Sequence, residues 1–354
     1  MTKLHLLDFT LSELEDYFIQ RNQPRYRARQ VLEWVFQQTV FDFQAMTNLP
    51  QAVWQQLDRE MMITAGREII RQEGQDGTTK FLLEFNNESQ TNPRQVETVL
   101  IPGDQRQTVC LSTQFGCPIK CAFCATGQGS FLGNLRTGQI IEQALRLQEI
   151  LIKQGKRLSH VVFMGMGEPL LNYDATLKAA RILHAPWGLG ISARRITIST
   201  VGLPAAIRRL AEESLPLNLA ISLHSPSQEK RESIIPLAAR YPLTAILEAA
   251  RYYFQKTGRE ITLEYLMLPD FNLSLADARE LAALARKIRA NVNLIPYNSV
   301  GNGQFRSPQT EEIRKFVKWL RQLGINTHVR RSRGEDIEAA CGQLRQRQTN
   351  NHRK

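Results

Sequence analysis

The sequence predicts an α/β fold, a partial (βα)6 barrel with an N-terminal helical accessory domain and a C-terminal extension. From Thr137 onward, strand-like and helix-like segments alternate with short connections, the pattern of a parallel sheet with crossover helices. Residues 1–65 show helical periodicity without that alternation. Between the two, a strand-like run over 107–113 leads into a loop bearing Cys117, Cys121 and Cys124, so chemistry is expected at a strand end.

The elements follow in order. Thr10-Leu11-Ser12-Glu13 can cap a first helix reaching Gln20. Residues 25–38 place Val31, Leu32, Val35 and Phe36 on one helical face, and Pro50 precedes a third helix with Val53, Trp54 and Leu57. Arg21, Arg25, Arg27 and Arg29 cluster at one entry of this module, which reads either as a solvated helix start or as a phosphate-contacting patch for RNA. Past residue 66 the pattern turns to strands. Asp76-Gly77 signals a turn, 78–85 a strand, 86–94 a polar loop and 96–102 a further strand. After the cysteine loop, helices are expected at 137–154, 174–184, 204–213, 242–256, 276–288 and 309–323. Strands are expected at 159–164, 195–200, 217–223, 260–267, 292–296 and 326–330. The expected units are a helical RNA-binding domain (1–65), a β-rich linker (66–105), the barrel core (106–300), a C-terminal helix, strand and cysteine loop (301–345), and a polar, frayed tail (346–354).

Composition narrows the function. A chain of 354 residues with 42% hydrophobic and 22% charged residues is an ordinary globular protein, but a net charge of +11 favours an anionic partner such as nucleic acid. Five cysteines, three of them in one loop, point to a reducing compartment rather than a disulfide scaffold. Asp8, Glu13, Glu15 and Asp16 follow the N-terminus where a signal peptide would be apolar, and no run of about eighteen apolar residues occurs, so a cytoplasmic protein without a membrane span is expected.

Three thiols at C-x-x-x-C-x-x-C spacing suit a cluster of soft metal ions better than a disulfide, which would leave one unpaired. Structural zinc usually takes four protein ligands. Three thiolates can instead hold three irons of a four-iron cluster and leave the fourth open. Other candidates fall at the expected strand ends: Gly165-Met166-Gly167-Glu168-Pro169, Ser199-Thr200, Ser222-Leu223-His224 and Pro296-Tyr297-Asn298. Each is more often structural than catalytic, but four at equivalent positions favour a common ligand site. Cys341 follows three arginines in a polar loop, a setting that favours its thiolate, and Cys110 is an available partner on the strand entering the cluster loop.

Together these residues resemble the RlmN/Cfr family of radical S-adenosylmethionine (SAM) RNA methyltransferases, most closely its C2-methylating branch. The resemblance runs from the helical module through Leu344. It rests on Val96-Glu97-Thr98, Cys110, the three loop cysteines with Phe123 before the last, the Gly165–Pro169 run, Ser222-Leu223-His224, and above all the segment from Gly334 to Leu344. It implies a radical SAM barrel with one [4Fe-4S] cluster on Cys117, Cys121 and Cys124 and two SAM molecules used per turnover. Gly167, Glu168, Ser199, Ser222, Leu223, His224 and Asn298 would bind SAM. It also implies that Cys341 carries a methyl group, that Glu97 is the general base, and that Cys110 resolves a protein–RNA adduct through a transient disulfide. The implied product is 2-methyladenosine in the peptidyl-transferase region of 23S rRNA and beside the anticodon of tRNAs. A flavodoxin- or ferredoxin-type electron donor and a monomeric enzyme are implied as well.

Within the family the alternative is the Cfr branch, which methylates C8 of the same rRNA adenine. Outside it, a noncatalytic metal-stabilised RNA-binding protein would leave Cys110 and Cys341 without a purpose. A radical SAM enzyme for a small molecule would leave both the charge and the Cys341 segment unexplained.

Overall fold

A computed structural model describes residues 3–85, 94–301 and 303–345. The tail expected at 346–354 and the polar loop expected at 86–94, Arg94 apart, lie outside the described residues. The main sheet has ten strands: β1 (Arg67–Glu73), β2 (Thr79–Glu84), β3 (Gln95–Pro102), β4 (Gln107–Cys110), β5 (His160–Phe163), β6 (Ile196–Thr200), β7 (Asn218–Ser222), β8 (Ile261–Met267), β9 (Ala290–Pro296) and β10 (Thr327–Val329). Each lies beside its predecessor in the chain. The first four pair antiparallel, and every pairing from β4 to β10 is parallel. β10 and β1 form opposite edges, so the barrel is open.

The parallel strands β5 to β9 each bury at least one face, where crossover helices pack against them. Phe163, Leu219, Leu263 and Leu294 are fully buried, and each such side chain stabilises the fold by about 1.5–3 kcal/mol. The N-terminal module holds α1 (Leu11–Ile19), α2 (Tyr26–Gln38) and α3 (Gln51–Glu60), and the helices connecting the parallel strands include α4 (Thr137–Lys153), α5 (Tyr173–His184), α6 (Pro204–Ala211), α7 (Leu243–Thr257), α8 (Leu275–Ile288) and α9 (Thr310–Gln322). Each overlaps its expected segment. Among the elements that were not expected, two stand out. β1 reads as a charged stretch because it is an edge strand with an alternating half-exposed face. The short helix Gln228–Ile234 hides in the polar run Gln-Glu-Lys-Arg-Glu.

The N-terminal module packs against α4 and α5. Thr10 and Glu13 form the expected capping box, with the Thr10 amide donating to Glu13 Oε2 at 2.7 Å. Asp8 Oδ1 accepts from the Gly138 amide at 2.6 Å, Lys178 pairs with Glu13 at 2.7 Å, and Phe36 meets Trp187 edge-on at 6.1 Å. The arginine patch is largely spent on local contacts. Arg21 pairs with Glu60 at 2.6 Å, Arg25 pairs with Glu15 at 2.7 Å, and Arg27 donates to Gln30 and the Asn48 carbonyl. Arg29 is exposed and makes no ion pair among the described residues. Within the described residues, no helix is long and apolar enough to cross a membrane.

Candidate active site

The cysteine loop leaves β4 through Gly116, whose φ of +80° is needed because a Cβ there would lie 2.0 Å from the Ser130 carbonyl oxygen. Cys117, Cys121 and Cys124 all line one cleft at the C-terminal ends of the parallel strands. Burial pushes the Cys117 thiol up to about 12 and raises Cys121 and Cys124, with each cysteine opposing the charge of its neighbours. Such thiols ionise readily only when a cation compensates them. Among the described residues, no group of three His, Cys, Asp or Glu side chains is arranged around a single metal ion. Three sulfurs from one loop, facing a shared cleft, fit a cluster whose irons take one thiolate each.

The opposite wall is built by Gly165–Pro169. Gly165 approaches the preceding strand so closely that a Cβ would meet Ser112 Oγ at 2.6 Å. The Met166 amide donates to Ser112 Oγ at 2.8 Å and the Glu168 amide donates to Gln114 Oε1 at 2.8 Å. Glu168 is buried, and burial pushes its carboxyl up to about 7 despite amide hydrogens from Val201 at 2.9 Å and Leu170 at 3.1 Å. A buried carboxylate this poorly compensated suits a cationic ligand such as the SAM ammonium.

Gly167, Glu168, Ser199, Ser222 and His224 line the same cleft. Ser199 Oγ and Ser222 Oγ lie 3.4 Å apart. His224 adopts φ +58°, and its Nδ1 accepts the Leu266 amide hydrogen at 3.0 Å, which places the neutral ring's proton on Nε2. Its ring meets Phe123 edge-on at 4.7 Å. Two expected ligands lie elsewhere. Leu223 is fully buried and acts through its backbone, its carbonyl accepting from Arg231 Nε at 3.2 Å. Asn298 faces a second cavity, where its Oδ1 accepts from Ser332 Oγ at 2.9 Å.

That second cavity, ≈ 320 Å³, is lined by Cys110, Asn298, Arg330, Arg331, Arg333 and Cys341, among others. Cys341 and Arg330 line both cavities. Burial, then the charge of Cys341, pushes the Cys110 thiol up to about 12, while Arg330 opposes the shift. The Cys341 sulfur is in turn the largest influence keeping the Arg330 guanidinium charged. All five cysteines are free, so the disulfide implied for Cys110 and Cys341 is not present in this structure. Glu97 is not among the residues lining either cavity. It is buried, pairs with Lys80 at 3.1 Å and accepts the Arg345 amide hydrogen at 2.8 Å.

Sequence reasoning missed two side chains. Arg231 is 1% exposed and donates to the Leu223 and Val201 carbonyls, tying the ends of β6 and β7 together behind the cysteines. Nothing in a run of charges distinguishes it from a solvated helix. Glu264 lines the first cleft, and burial raises its carboxyl. A lone acid inside Ile261–Met267 was a readable signal.

His224 carries a pH prediction. Burial, then the Arg231 charge, pushes it down to about 3, whereas the unfolded ring titrates near 6.5. Between those values the unfolded chain binds a proton that the native chain does not. The stability contribution is therefore complete above about pH 6.5 and is lost as pH falls through the window. Going from about pH 7.5 to 5.5 is expected to cost about 1.4 kcal/mol through this residue. Urea titrations of the metal-free protein should show that slope, and His224→Asn, which tolerates positive φ, should flatten it. Equal slopes would remove His224 as the cause.

Fold and site together define a radical SAM enzyme, with its cluster loop at the strand ends of an open parallel barrel. A profile of the Radical SAM superfamily matches residues 111–284, and one described as the ribosomal RNA large subunit methyltransferase N-terminal domain matches residues 4–63. The probable dual-specificity RNA methyltransferase RlmN of Syntrophomonas wolfei is 42% identical over 352 residues, covering 97% of each chain. Its counterpart in Symbiobacterium thermophilum is 44% identical, covering 97% of this chain and 91% of its own. A crystal structure of a radical SAM methyltransferase from Sphaerobacter thermophilus superposes with a TM-score of 0.92 at 42% identity, covering 97% of this chain and 99% of that one. The chain belongs to the RlmN family of radical SAM RNA methyltransferases. As a member it uses a [4Fe-4S] cluster and SAM.

Proposed function

We propose that the enzyme methylates C2 of an adenosine in the peptidyl-transferase region of 23S rRNA and of the anticodon-adjacent A37 in tRNAs. The observation that carries this reading is the position of Cys341 in the wall shared by two cavities, with Cys117 and Cys121 lining one, Cys110 the other, and Cys124 both. One sulfur is thus accessible both to the radical-generating cleft and to an arginine-rich cavity suited to RNA. The relatives' name, dual-specificity RNA methyltransferase, supports the pair of substrates.

When bound to Cys117, Cys121 and Cys124 and the Glu168 side of the cleft, the cluster and SAM supply one-electron chemistry that generates a carbon radical. The chain's own residues do the rest. An adenine ring carbon is electron-poor and cannot itself attack a sulfonium methyl group. Cys341 takes the methyl group by displacement, and its S-methyl carbon, having lost a hydrogen atom, adds to the ring. Glu97 takes the ring proton while the odd electron of the adduct leaves to a one-electron acceptor, a role the cluster would supply. Cys110 then attacks the Cys341 sulfur, releases the methylated RNA, and leaves a sulfur–sulfur bond to be reduced. Arg331 and Arg333 at the mouth attract the phosphate backbone.

Anaerobic reconstitution with SAM, a reductant and unmodified 23S rRNA, followed by digestion and mass spectrometry, tests the regiochemistry. The expected product is 2-methyladenosine. An 8-methyl product would transfer the chain to the Cfr-type reaction.

A further inference from the structure

Lys80 carries no role in the reaction described so far. Strand register gives it one. Lys80 lies opposite Val99, and Val99 lies opposite Cys110, so these three share one face of the antiparallel extension. Glu97, two positions from Val99 on the same strand, projects from that face as well. The segment carrying Cys341 lies across it. Lys80 Nζ sits 3.1 Å from Glu97 Oε1 and donates to the Glu338 carbonyl at 3.2 Å. Glu97 Oε2 takes the Arg345 amide hydrogen at 2.8 Å. Two contacts therefore clasp the Cys341 loop on both sides, at 338 and at 345, and both meet at the Glu97–Lys80 pair.

The pair is buried, with each side chain 6% exposed. Burying an ammonium and a carboxylate carries a large desolvation cost, and apolar residues of similar volume often do as well for stability. A lysine here is better explained by what it positions. Its donors can hold two acceptors from different parts of the chain at once.

We propose that Lys80 is a positioning residue of the methyl-transfer reaction: its ammonium holds the Glu97 carboxylate and the backbone of the Cys341 loop on one centre. Base and methyl-carrying sulfur then stay in register while the adduct is resolved. This rests on the reading of Glu97 as the base. Lys80 acts on the late half of the reaction, proton removal and RNA release, and leaves methylation of Cys341 untouched.

The test uses reconstituted enzyme with SAM, dithionite and unmodified rRNA, comparing wild type, Lys80→Met, Lys80→Arg, Glu97→Gln and the Lys80→Met/Glu97→Gln pair. Methylation of Cys341 is read by peptide mass spectrometry, adduct on denaturing gels, and release as methylated RNA. Lys80→Met is expected to methylate Cys341 as wild type does, to release RNA about tenfold more slowly, and to accumulate adduct, a fraction of the 10²–10⁴-fold contribution typical of a general base. Lys80→Arg, which keeps the charge, should recover most of the release rate.

Because Lys80 acts through Glu97, adding Lys80→Met to Glu97→Gln should slow release no further. Additive losses, or an equal fall in Cys341 methylation and release, would overturn the proposal. The double-variant comparison still decides if Lys80→Met alone fails to fold, because removing both charges leaves no unpaired buried ion. Wild-type release by Glu97→Gln would sink the base reading itself. Slow release by Glu97→Gln with normal release by Lys80→Met would sink only the role of Lys80.

Discussion

Cys341→Ala is expected to lower RNA methylation by at least about 10⁴-fold, the scale on which loss of a covalent nucleophile acts. The cluster should survive, which makes the result interpretable. Cys341 is not one of the three loop ligands, and its segment joins the cluster loop through backbone, by the Ala125 amide donating to the Gly342 carbonyl at 2.7 Å. Thr126 Oγ also donates to the Leu344 carbonyl. Alanine at 341 leaves both contacts in place. Iron content and the visible absorbance of the reconstituted protein should therefore match wild type, while label from methyl-labelled SAM reaches neither residue 341 nor the RNA. RNA methylation at the wild-type rate would mean that methyl transfer does not pass through this sulfur.

The parts of this site differ in how far they could be read from the chain. The cluster loop was legible because three cysteines within eight residues leave few chemical uses. The barrel was legible because buried parallel strands and amphipathic helices have different periods, and they alternate from Thr137 to the end of β10. The arginines of the helical module were legible only as charges. Charge identifies a side chain as basic, but only the fold shows that Glu15 and Glu60 already pair with two of the four. Arg231 was invisible for the converse reason, since a residue among Glu229, Lys230 and Glu232 gives no sign of being the one turned inward. Asn298 follows the strand that ends at Pro296, as expected, and the sequence could not show that its side chain lines the second cavity. The Lys80–Glu97–Arg345 contact joins positions 265 residues apart from first to last, and no local pattern encodes it.

The second large effect separates the two flanking cysteines. Cys110→Ala is expected to stop release of methylated RNA and to leave nearly all competent enzyme joined to its substrate after one turnover. On the proposed mechanism each thiol has a different task. Cys341 opens onto both cavities, whereas Cys110 lines only the arginine-rich one and is 6% exposed at the end of β4. Burial pushes that thiol up to about 12, so only a minute fraction is ionised at neutral pH and the thiolate must form when it is needed. Such a group is a poor first nucleophile for SAM, but it is protected from stray oxidation until an adduct fills the cavity. Arg330, whose charge opposes the shift, is placed to favour the thiolate at that moment. With alanine at 110 the earlier steps are intact, so Cys341 methylation proceeds, one equivalent of RNA is captured, and a band of protein plus RNA persists on a denaturing gel. Adduct formed by Lys80→Met should instead decay with time, because its Cys110 remains to resolve it. Should Cys110→Ala turn over repeatedly with no retarded band, resolution by this thiol is wrong, and the buried cysteine at the end of β4 serves packing alone.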